Sequence, residues 1–279
     1  MSTDGYVKEI EEYRSNLEQQ LRAPDGWLTL AGLHWLHNGT NSVGSAVNST
    51  VILPPYTAPQ EVGHFYLENG QVYFQACEEV EVHLDGTSVK GKHPLQSDIN
   101  HNPSILTLGD LTFFVIQRGE RIGVRVKQVS HPNRLNFKGR VWWPIDNLYR
   151  VKAAIKRYDP PKIVEIPDVI GGINETVMDC ALEFILNGQT YSLDAETLPN
   201  GKFYVIFHDQ SCGKGSYPAG RFLKTEDPQS GSVIIDFNKA YNPPCAFTPF
   251  ATCPLPPRQN YLDTTIQAGE RYKDQTSQA

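Results

Sequence analysis

Short runs of alternating apolar and polar residues, each closed by turn-forming residues, fill most of this 279-residue chain. Such runs are typical of antiparallel β-strands. Hairpin-type dipeptides mark the turns between them: Asn69-Gly70, Asp85-Gly86, Asn187-Gly188 and Asn200-Gly201. No helical pattern of about 10–15 residues alternates with these runs, which argues against a parallel β-α-β sheet. The sequence therefore predicts a mainly β fold.

One amphipathic helix is predicted over residues 4–22. Apolar residues recur there at spacings of three and four: Val7, Ile10, Tyr13, Leu17 and Leu21. Pro24-Asp25-Gly26 ends the pattern. A helix at the start of a β-rich chain packs across a sheet edge as a clasp or forms a dimer contact, and the sequence leaves both alternatives open.

These patterns divide the chain into a helix with a Trp-rich connector, a β-sandwich, a second connector, and a C-terminal sandwich or half-barrel. The expected ranges of these segments are 1–39, 40–128, 129–150 and 151–279. We expect the two antiparallel β modules to pack together. The C-terminal module carries two long irregular loops, at 209–221 and 236–260.

Composition argues against several classes of partner. The chain has 31 acidic and 25 basic residues and a net charge of -6, so it lacks the basic footprint of nucleic-acid or membrane binding. The N-terminal residues contain no apolar run of the kind found in signal peptides, and no stretch is apolar enough to span a membrane. We therefore expect a cytoplasmic protein. Its expected partner is a small polar or anionic ligand, and a protein partner is an open alternative.

Residues 236–260, DFNKAYNPPCAFTPFATCPLPPRQN, concentrate prolines, cysteines, aromatics and amides. The prolines deny this run regular pairing, so its carbonyl groups must find side chains or water. Cys245 and Cys253 stand eight residues apart, whereas structural zinc sites pair cysteines about two to four residues apart. Such cysteines are most often small buried apolar residues. No metal and no cofactor is therefore predicted.

A second irregular run, DQSCGKGSYPAGR at residues 209–221, contains a Gly-Lys-Gly-Ser core. The phosphate-binding Walker pattern requires a glycine where this chain has His208, and Ser or Thr where it has Gly215, so that reading is rejected. The run is expected to be a glycine-flexed loop on a rigid β scaffold. Lys214 and Arg221 are its candidates for holding a carboxylate or phosphate.

The candidate ligand-binding residues come from these two runs and from a basic cluster near residue 125: Arg125, Asp209, Lys214, Tyr217, Arg221, Asn238, Tyr241, Asn242, Cys245 and Cys253. Convergent polar and aromatic side chains are usual in a ligand pocket. His34, in the apolar segment GWLTLAGLHWLHNG, is the candidate catalytic base. A buried histidine with both ring nitrogens satisfied is the alternative.

Residues 40–128 resemble a forkhead-associated domain, a β-sandwich that recognises phosphothreonine. The resemblance lies in residues 44–53, in the Asn69-Gly70 turn and in Leu108-Gly109-Asp110 before a final hairpin. It implies a fold of that type for the N-terminal module.

The residues that would bind phosphate are missing from this resemblance. That family places an arginine after the first glycine and uses a Ser-Arg-x-x-His run. Here Ser45 follows Gly44, and residues 61–64 are Glu-Val-Gly-His. Because a phosphate dianion depends on such charge-assisted donors, the sequence argues against phosphopeptide recognition.

Almost the whole chain resembles the mainly bacterial family known as domain of unknown function 1684. The segments that carry this resemblance are WLTLAGLHWL, LTFFVIQRGERIGVRVK, the 209–221 loop and, above all, the 236–260 run. The family has no established activity, so the resemblance implies a two-part β-rich architecture and no reaction.

Three functional hypotheses remain. The leading one is binding of a small polar or anionic molecule in a pocket of the C-terminal module, with hydrolytic or other simple chemistry left open. The second is a protein–protein adaptor that uses the forkhead-associated-like half. The third is a cysteine- or metal-dependent enzyme, in which Cys245 would need His34 or His208 as its base.

Overall fold

The computed structural model describes residues 3–273 and divides the chain into two compact units. One unit is Leu21–Phe137; the other combines the residues up to Gln20 with those from Lys138 onward. The N-terminal helix therefore belongs with the C-terminal strands. The sequence had suggested a connector over residues 129–150, and the division between the units falls inside that segment.

Antiparallel strands dominate both units, which confirms the predicted mainly β class. In the N-terminal unit the strands are β1 (Leu30–Trp35), β2 (Gly39–Gly44), β3 (Val51–Ile52), β4 (Gly63–Glu68), β5 (Gln71–Ala76), β6 (His83–Leu84), β7 (Thr87–Ser88), β8 (Lys92–Leu95), β9 (Leu106–Leu108), β10 (Leu111–Arg118) and β11 (Arg121–Gln128). They form two sheets, with strand orders β1-β11-β10-β9-β6-β7 and β3-β2-β4-β5-β8.

The core of this sandwich is built from the inward-facing residues of both sheets. Phe65 and Phe74 come from one sheet and Phe113 from the other, and their ring centroids lie 5.1 to 6.2 Å apart. Along β10, buried Leu111, Phe113 and Val115 alternate with less buried residues, as the sequence pattern predicts. A short helix, Pro132–Leu135, follows β11.

The second unit contains the helix α1 (Thr3–Arg22) and one large curved sheet, the predicted half-barrel. Its strands are β12 (Val141–Trp142), β13 (Arg150–Pro167), β14 (Ile173–Leu186), β15 (Gln189–Thr197), β16 (Phe203–Phe207), β17 (Arg221–Lys224), β18 (Ser232–Asp236) and β19 (Glu270–Arg271). The large sheet has the order β17-β16-β15-β14-β13-β18, and β12 pairs with β19. Its apolar core includes Phe237, whose ring contacts the rings of Phe184 and Phe207.

Helix α1 is held against the segment that follows β18. Tyr6 and Ile10 are buried, and the Tyr6 hydroxyl donates to the Asp236 carboxylate at 2.9 Å. The Tyr13 hydroxyl donates to the carbonyl of Lys239 at 2.9 Å. Among residues 3–273, no helix combines the length and apolar character needed to cross a membrane.

The Tyr6 hydroxyl gives the first testable prediction. Replacing Tyr6 with Phe keeps the ring but leaves the buried Asp236 carboxylate without one donor. We expect the free energy of unfolding to fall by about 1–3 kcal/mol in urea titrations. Tyr261→Phe, on a side chain that is 53% exposed, is the matched control and should change stability by less than about 0.5 kcal/mol. Equal stability of the two variants would contradict the assigned role of Tyr6.

Candidate functional site

An ion pair buried from solvent holds the 209–221 loop in place. The Arg221 Nη2 donates to Asp209 Oδ1 at 2.8 Å and to the carbonyl of Ile266 at 3.0 Å, and neither charged side chain has exposed surface. The other terminal nitrogen of Arg221 donates to the carbonyl of Ala268. Both terminal nitrogens of the guanidinium group therefore hydrogen-bond within the protein.

The Asp209 carboxylate also forms several hydrogen bonds within the protein. It accepts from the backbone N–H of Ser211 at 3.0 Å and of Ile266 at 2.8 Å. Burial alone would raise the pKa of Asp209, but Arg221 and these hydrogen bonds outweigh it and hold the pKa below its usual value. Of the other predicted residues in the loop, Lys214 is exposed, and Tyr217 is half-buried with its ring centroid 4.9 Å from that of Tyr272.

The predicted amide residues of the 236–260 run bind backbone groups. Asn238 accepts from the N–H of Asp146 at 3.0 Å and donates to its carbonyl at 2.8 Å. Asn242 donates to the carbonyl of Arg271 at 3.0 Å. These bonds tie the 236–260 run to the backbone of the segments before β13 and at β19.

The N–H of Asn242 adjoins a buried carboxylate, Glu270. Arg140 donates to Glu270, and the N–H of Asn242 does so at 2.8 Å. Burial nevertheless raises the pKa of Glu270 to about 7, because its carboxylate is almost wholly removed from water. Burial also raises the pKa of Tyr241 to about 12.

Cys245 and Cys253 are neighbours in space. The backbone N–H of Cys245 donates to the sulfur of Cys253 at 3.2 Å. The Tyr217 hydroxyl hydrogen-bonds to the Cys245 sulfur. Three residues predicted from two separate runs therefore meet at one place.

His34 and Arg125 lie in the N-terminal unit, on adjacent strands β1 and β11. Arg125 pairs with Leu33, and His34 pairs with Val124, so the two side chains point to opposite faces of the sheet. Arg125 is buried, with its guanidinium 5.5 Å from the centre of the Trp27 ring. Burial lowers the pKa of His34, and its Nε2 has no hydrogen-bond partner in the described part of the chain.

The C-terminal unit also contains a cleft of about 720 Å³ that the sequence reasoning did not identify. It lies among the end of β13, the start of β14, β15 and the segment after Pro254. Its apolar walls are Val164, Pro167, Ile173, Leu255, Pro256 and Pro257, and its polar residues are Glu165, Asp194, Arg258, Gln259 and Tyr261.

Asp194 is the buried acidic residue of this cleft. The Tyr158 hydroxyl donates to its Oδ1 at 2.5 Å, and the Lys162 ammonium lies 3.6 Å from its Oδ2. The same ammonium lies 3.7 Å from the centre of the Tyr158 ring. The pKa of Lys162 is raised by its hydrogen bond with Tyr158 and by Asp194; burial and the bond to Asp194 raise the pKa of Tyr158.

Two residues that line the cleft, Tyr261 and Arg258, differ in their contacts with the rest of the protein. The Tyr261 ring stacks on His208, with centroids 4.7 Å apart and planes 15° apart. Arg258 is exposed, and its guanidinium makes no ion pair with any residue from 3 to 273. The cleft therefore offers an aromatic face and one cation that is not already engaged by a carboxylate.

Comparison with known proteins identifies the family. The family model described as "Protein of unknown function (DUF1684)" matches residues 135–271. The chain belongs to this family. A solution structure of an uncharacterized protein from gene locus rrnAC0354 of Haloarcula marismortui is similar, with 31% identity over 50% of this chain and 78% of that one and a TM-score of 0.41. No curated protein matches.

Forkhead-associated domains are also found among similar solved structures. The FhaA FHA domain, solved in complex with the intracellular domain of Rv3910, shares 11% identity over 34% of this chain and 97% of that one, with a TM-score of 0.25. The Rv0020c FHA structure shares 14% identity over 34% and 95%, with a TM-score of 0.24. The weak resemblance noted in the sequence of this DUF1684 protein is thus found again, over about a third of the chain.

The cleft of this DUF1684 protein carried little signal in the sequence. Its walls are proline and aliphatic residues, which form no motif, and its buried carboxylate belongs to a strand. The one signal was the Pro-rich end of the 236–260 run, which supplies Leu255 to Gln259. Across residues 3–273, no group of three or more His, Cys, Asp and Glu side chains is arranged to hold a metal ion.

The Arg221–Asp209 pair predicts a large loss of stability when it is broken. Arg221→Met leaves a buried carboxylate without its counter-ion, so we expect the free energy of unfolding to fall by about 3–5 kcal/mol. Lys214→Met, at an exposed position in the same loop, should cost less than about 0.5 kcal/mol. Urea unfolding checks both values. A loss below about 1 kcal/mol for Arg221→Met would show that the pair does not hold the loop.

The raised pKa of Glu270 predicts a pH-dependent stability. Between pH 4.5 and about 7 the unfolded chain loses the Glu270 proton while the folded chain keeps it, so folding is penalised increasingly as the pH rises. The free energy of unfolding should fall by about 3 kcal/mol over this range relative to Glu270→Gln. Glu183→Gln, on an exposed strand position, should follow the wild type at each pH. Parallel curves for wild type and Glu270→Gln would refute the assignment.

Proposed function

We propose that the C-terminal unit binds a small molecule with an apolar or aromatic body and an anionic group, in the cleft beside β13 and β15. The volume of about 720 Å³ lies within the range of about 300–1,000 Å³ that is usual for small-molecule sites. The apolar walls with a few polar groups are also typical of such sites. This activity is proposed for the cytoplasm, in keeping with five cysteines that are too few and too irregularly spaced for a disulfide framework.

The observation that carries the proposal is the exposed guanidinium of Arg258 on a mostly apolar cleft. A planar guanidinium binds a carboxylate or phosphate with two parallel hydrogen bonds. Arg221, the stronger candidate from the sequence, is fully buried, and both of its terminal nitrogens are engaged by Asp209 and two carbonyls. The role of anion donor therefore passes to Arg258.

The rest of the cleft suits the body of such a ligand. Tyr261 presents a ring that is already fixed by stacking on His208, so little side-chain entropy is lost when a second ring packs on it. Pro256 and Pro257 add rigid apolar surface. Asp194 shares its charge with Tyr158 and Lys162, so it repels an anion less than an unpaired carboxylate would.

The raised pKa values of Tyr158 and Lys162 favour a role as hydrogen-bond donors over a role as bases. The pKa values of both Tyr158 and Lys162 are raised, so both side chains hold their protons at neutral pH. The cluster can donate hydrogen bonds or a proton, but it supplies no neutral amine or phenolate to act as a base. In any simple chemistry at this site, Tyr158 and Lys162 would therefore act as proton donors.

Probe titrations test the proposal. We expect benzoate and phenyl phosphate to shift the methyl NMR signals of Ile173, Leu255 and Val164, while benzyl alcohol binds more weakly and benzylammonium most weakly. Arg258→Gln should weaken binding of the anionic probes by about tenfold, because a hydrogen bond to a charged group is worth about 1.5–3 kcal/mol, and leave benzyl alcohol unchanged. Lys224→Gln, an exposed cation on β17, is the matched charge control.

Two outcomes would count against this function. Absence of methyl shifts with every probe would remove the cleft as a binding site. Tighter binding of benzylammonium than of benzoate would show that Glu165 and Asp194, and not Arg258, set its charge preference.

The adaptor alternative is favoured by one feature of the forkhead-associated-like unit. Tyr56 has a positive φ of 63° and a fully exposed ring, an arrangement that strains the backbone while presenting an aromatic side chain to solvent. Val47 is also exposed, at 91%. On this alternative, a partner protein should co-purify with the wild type in stoichiometric amount and should be lost with Tyr56→Ala. Purification of the wild type without a partner, or retention of the partner by Tyr56→Ala, would count against it.

A further inference from the structure

Cys245 and Cys253 form a contact between two thiols in a segment without regular structure. The N–H of Cys245 donates to the sulfur of Cys253 at 3.2 Å, and the two side chains also hydrogen-bond to each other. Cys245 lies in a short 3-10 turn at Pro244–Ala246. Within the described residues, all five thiols are reduced.

The two thiols differ in access to solvent. Cys245 is half-buried, whereas Cys253 is only 5% exposed and packs with Ile206 and Phe222 in a small apolar cluster. An oxidant from solvent therefore reaches Cys245 first. The buried partner is placed to react only with its neighbour.

The surroundings of Cys245 favour its thiolate. Hydrogen bonds from the Cys253 thiol and from the Tyr217 hydroxyl lower the pKa of Cys245, although burial acts in the opposite direction. By contrast, burial raises the pKa values of Cys180 and Cys212 to about 11, and it also raises that of Cys77. Because the thiolate is the nucleophile, Cys245 is in this respect the most reactive of these four sulfurs.

We propose that Cys245 and Cys253 are a peroxide-sensitive modification site, at which Cys245 is oxidised first and Cys253 then closes an intramolecular disulfide. Tyr217 acts as a positioning residue through its hydroxyl group. The inference is independent of ligand binding in the cleft.

The chemistry balances with a hydroperoxide as the oxidant. The Cys245 thiolate attacks one oxygen of hydrogen peroxide, the O–O bond breaks, and hydroxide leaves with the electron pair; Cys245 becomes a sulfenic acid. The Cys253 sulfur then attacks the Cys245 sulfur, the S–O bond breaks, and the oxygen leaves as water with the thiol proton. Overall, the two thiols are oxidised to one disulfide, and one molecule of hydrogen peroxide is reduced to two molecules of water.

Mass spectrometry provides a direct test because one tryptic peptide, residues 240–258, contains both cysteines. The full chain is treated with one equivalent of hydrogen peroxide, denatured and alkylated with iodoacetamide. We expect this peptide to lose the mass of two hydrogens and to resist alkylation until dithiothreitol is added. Cys77, Cys180 and Cys212 serve as internal controls. They should stay reduced during the peroxide treatment and therefore be alkylated by iodoacetamide.

Variants separate the roles of the two sulfurs. Cys253→Ser should leave a sulfenic acid at residue 245 that dimedone traps, whereas Cys245→Ser should leave Cys253 reduced. Tyr217→Phe should slow oxidation of Cys245 at neutral pH, because loss of the hydroxyl donor lowers the fraction of Cys245 that is thiolate. Lys214→Met, in the same loop, should not change the rate.

The wild-type measurement decides the proposal even if a variant does not fold. Oxidation of Cys77 or Cys212 as fast as that of Cys245 would overturn it. So would conversion of Cys245 to a sulfinic acid without a disulfide, since that would show that Cys253 does not reach the oxidised sulfur.

Discussion

The main-chain groups of residues 236–268 depend on buried side chains for hydrogen bonds that a sheet would otherwise supply. The N–H groups of Asn242 and Ile266 donate to the carboxylates of Glu270 and Asp209, and the carbonyls of Ile266 and Ala268 accept from Arg221. Asn260 makes the converse contact, from the run to neighbouring strands. Its side chain accepts from the N–H of Asp194 at 2.7 Å and donates to the carbonyls of Asp194 and Ile206 at 2.9 and 2.8 Å. Each buried group left unpaired would cost about 1–3 kcal/mol, so these side-chain hydrogen bonds stabilise the irregular run and its attachment to the strands. They also fix the cleft, because Asn260 joins the run to the strand that carries Asp194.

The same constraint explains which charges remain for a ligand. Arg221 and Arg140 are buried, and each is engaged by a carboxylate, because a buried charge without a partner is strongly unfavourable. They stabilise the segments around residues 266–270. Arg258 lies outside this network, at an exposed position where water solvates its charge. The separation into engaged interior arginines and an exposed rim arginine is what makes a binding role at the cleft physically reasonable.

The sequence predicted the mainly β class, the N-terminal helix and the family, because each depends on local periodicity or on a long specific run. It could not distinguish a polar residue that faces a ligand from one that completes the fold. Asp209 and Asn238 match both descriptions in the sequence, and only their three-dimensional partners show that they bind the protein itself. His34 and Arg125 depended on strand register, which is altered by an irregularity between Leu30 and Gly32. The cleft depends on contacts between β13 and residues 255–261, which no local pattern encodes.

Proline at positions 254, 256 and 257 leaves Leu255 as the one backbone donor in its neighbourhood. Its N–H donates to the carbonyl of Pro167 at 2.8 Å, while the N–H of Val169 donates to the carbonyl of Cys253 at 3.0 Å. The cleft wall is thereby tied to the end of β13 immediately after Cys253. A disulfide between residues 245 and 253 would constrain the chain on the other side of this tie. The cysteine pair and the cleft thus share one proline-rich run, and the two proposals made for them, oxidation of the pair and ligand binding in the cleft, concern separate parts of it.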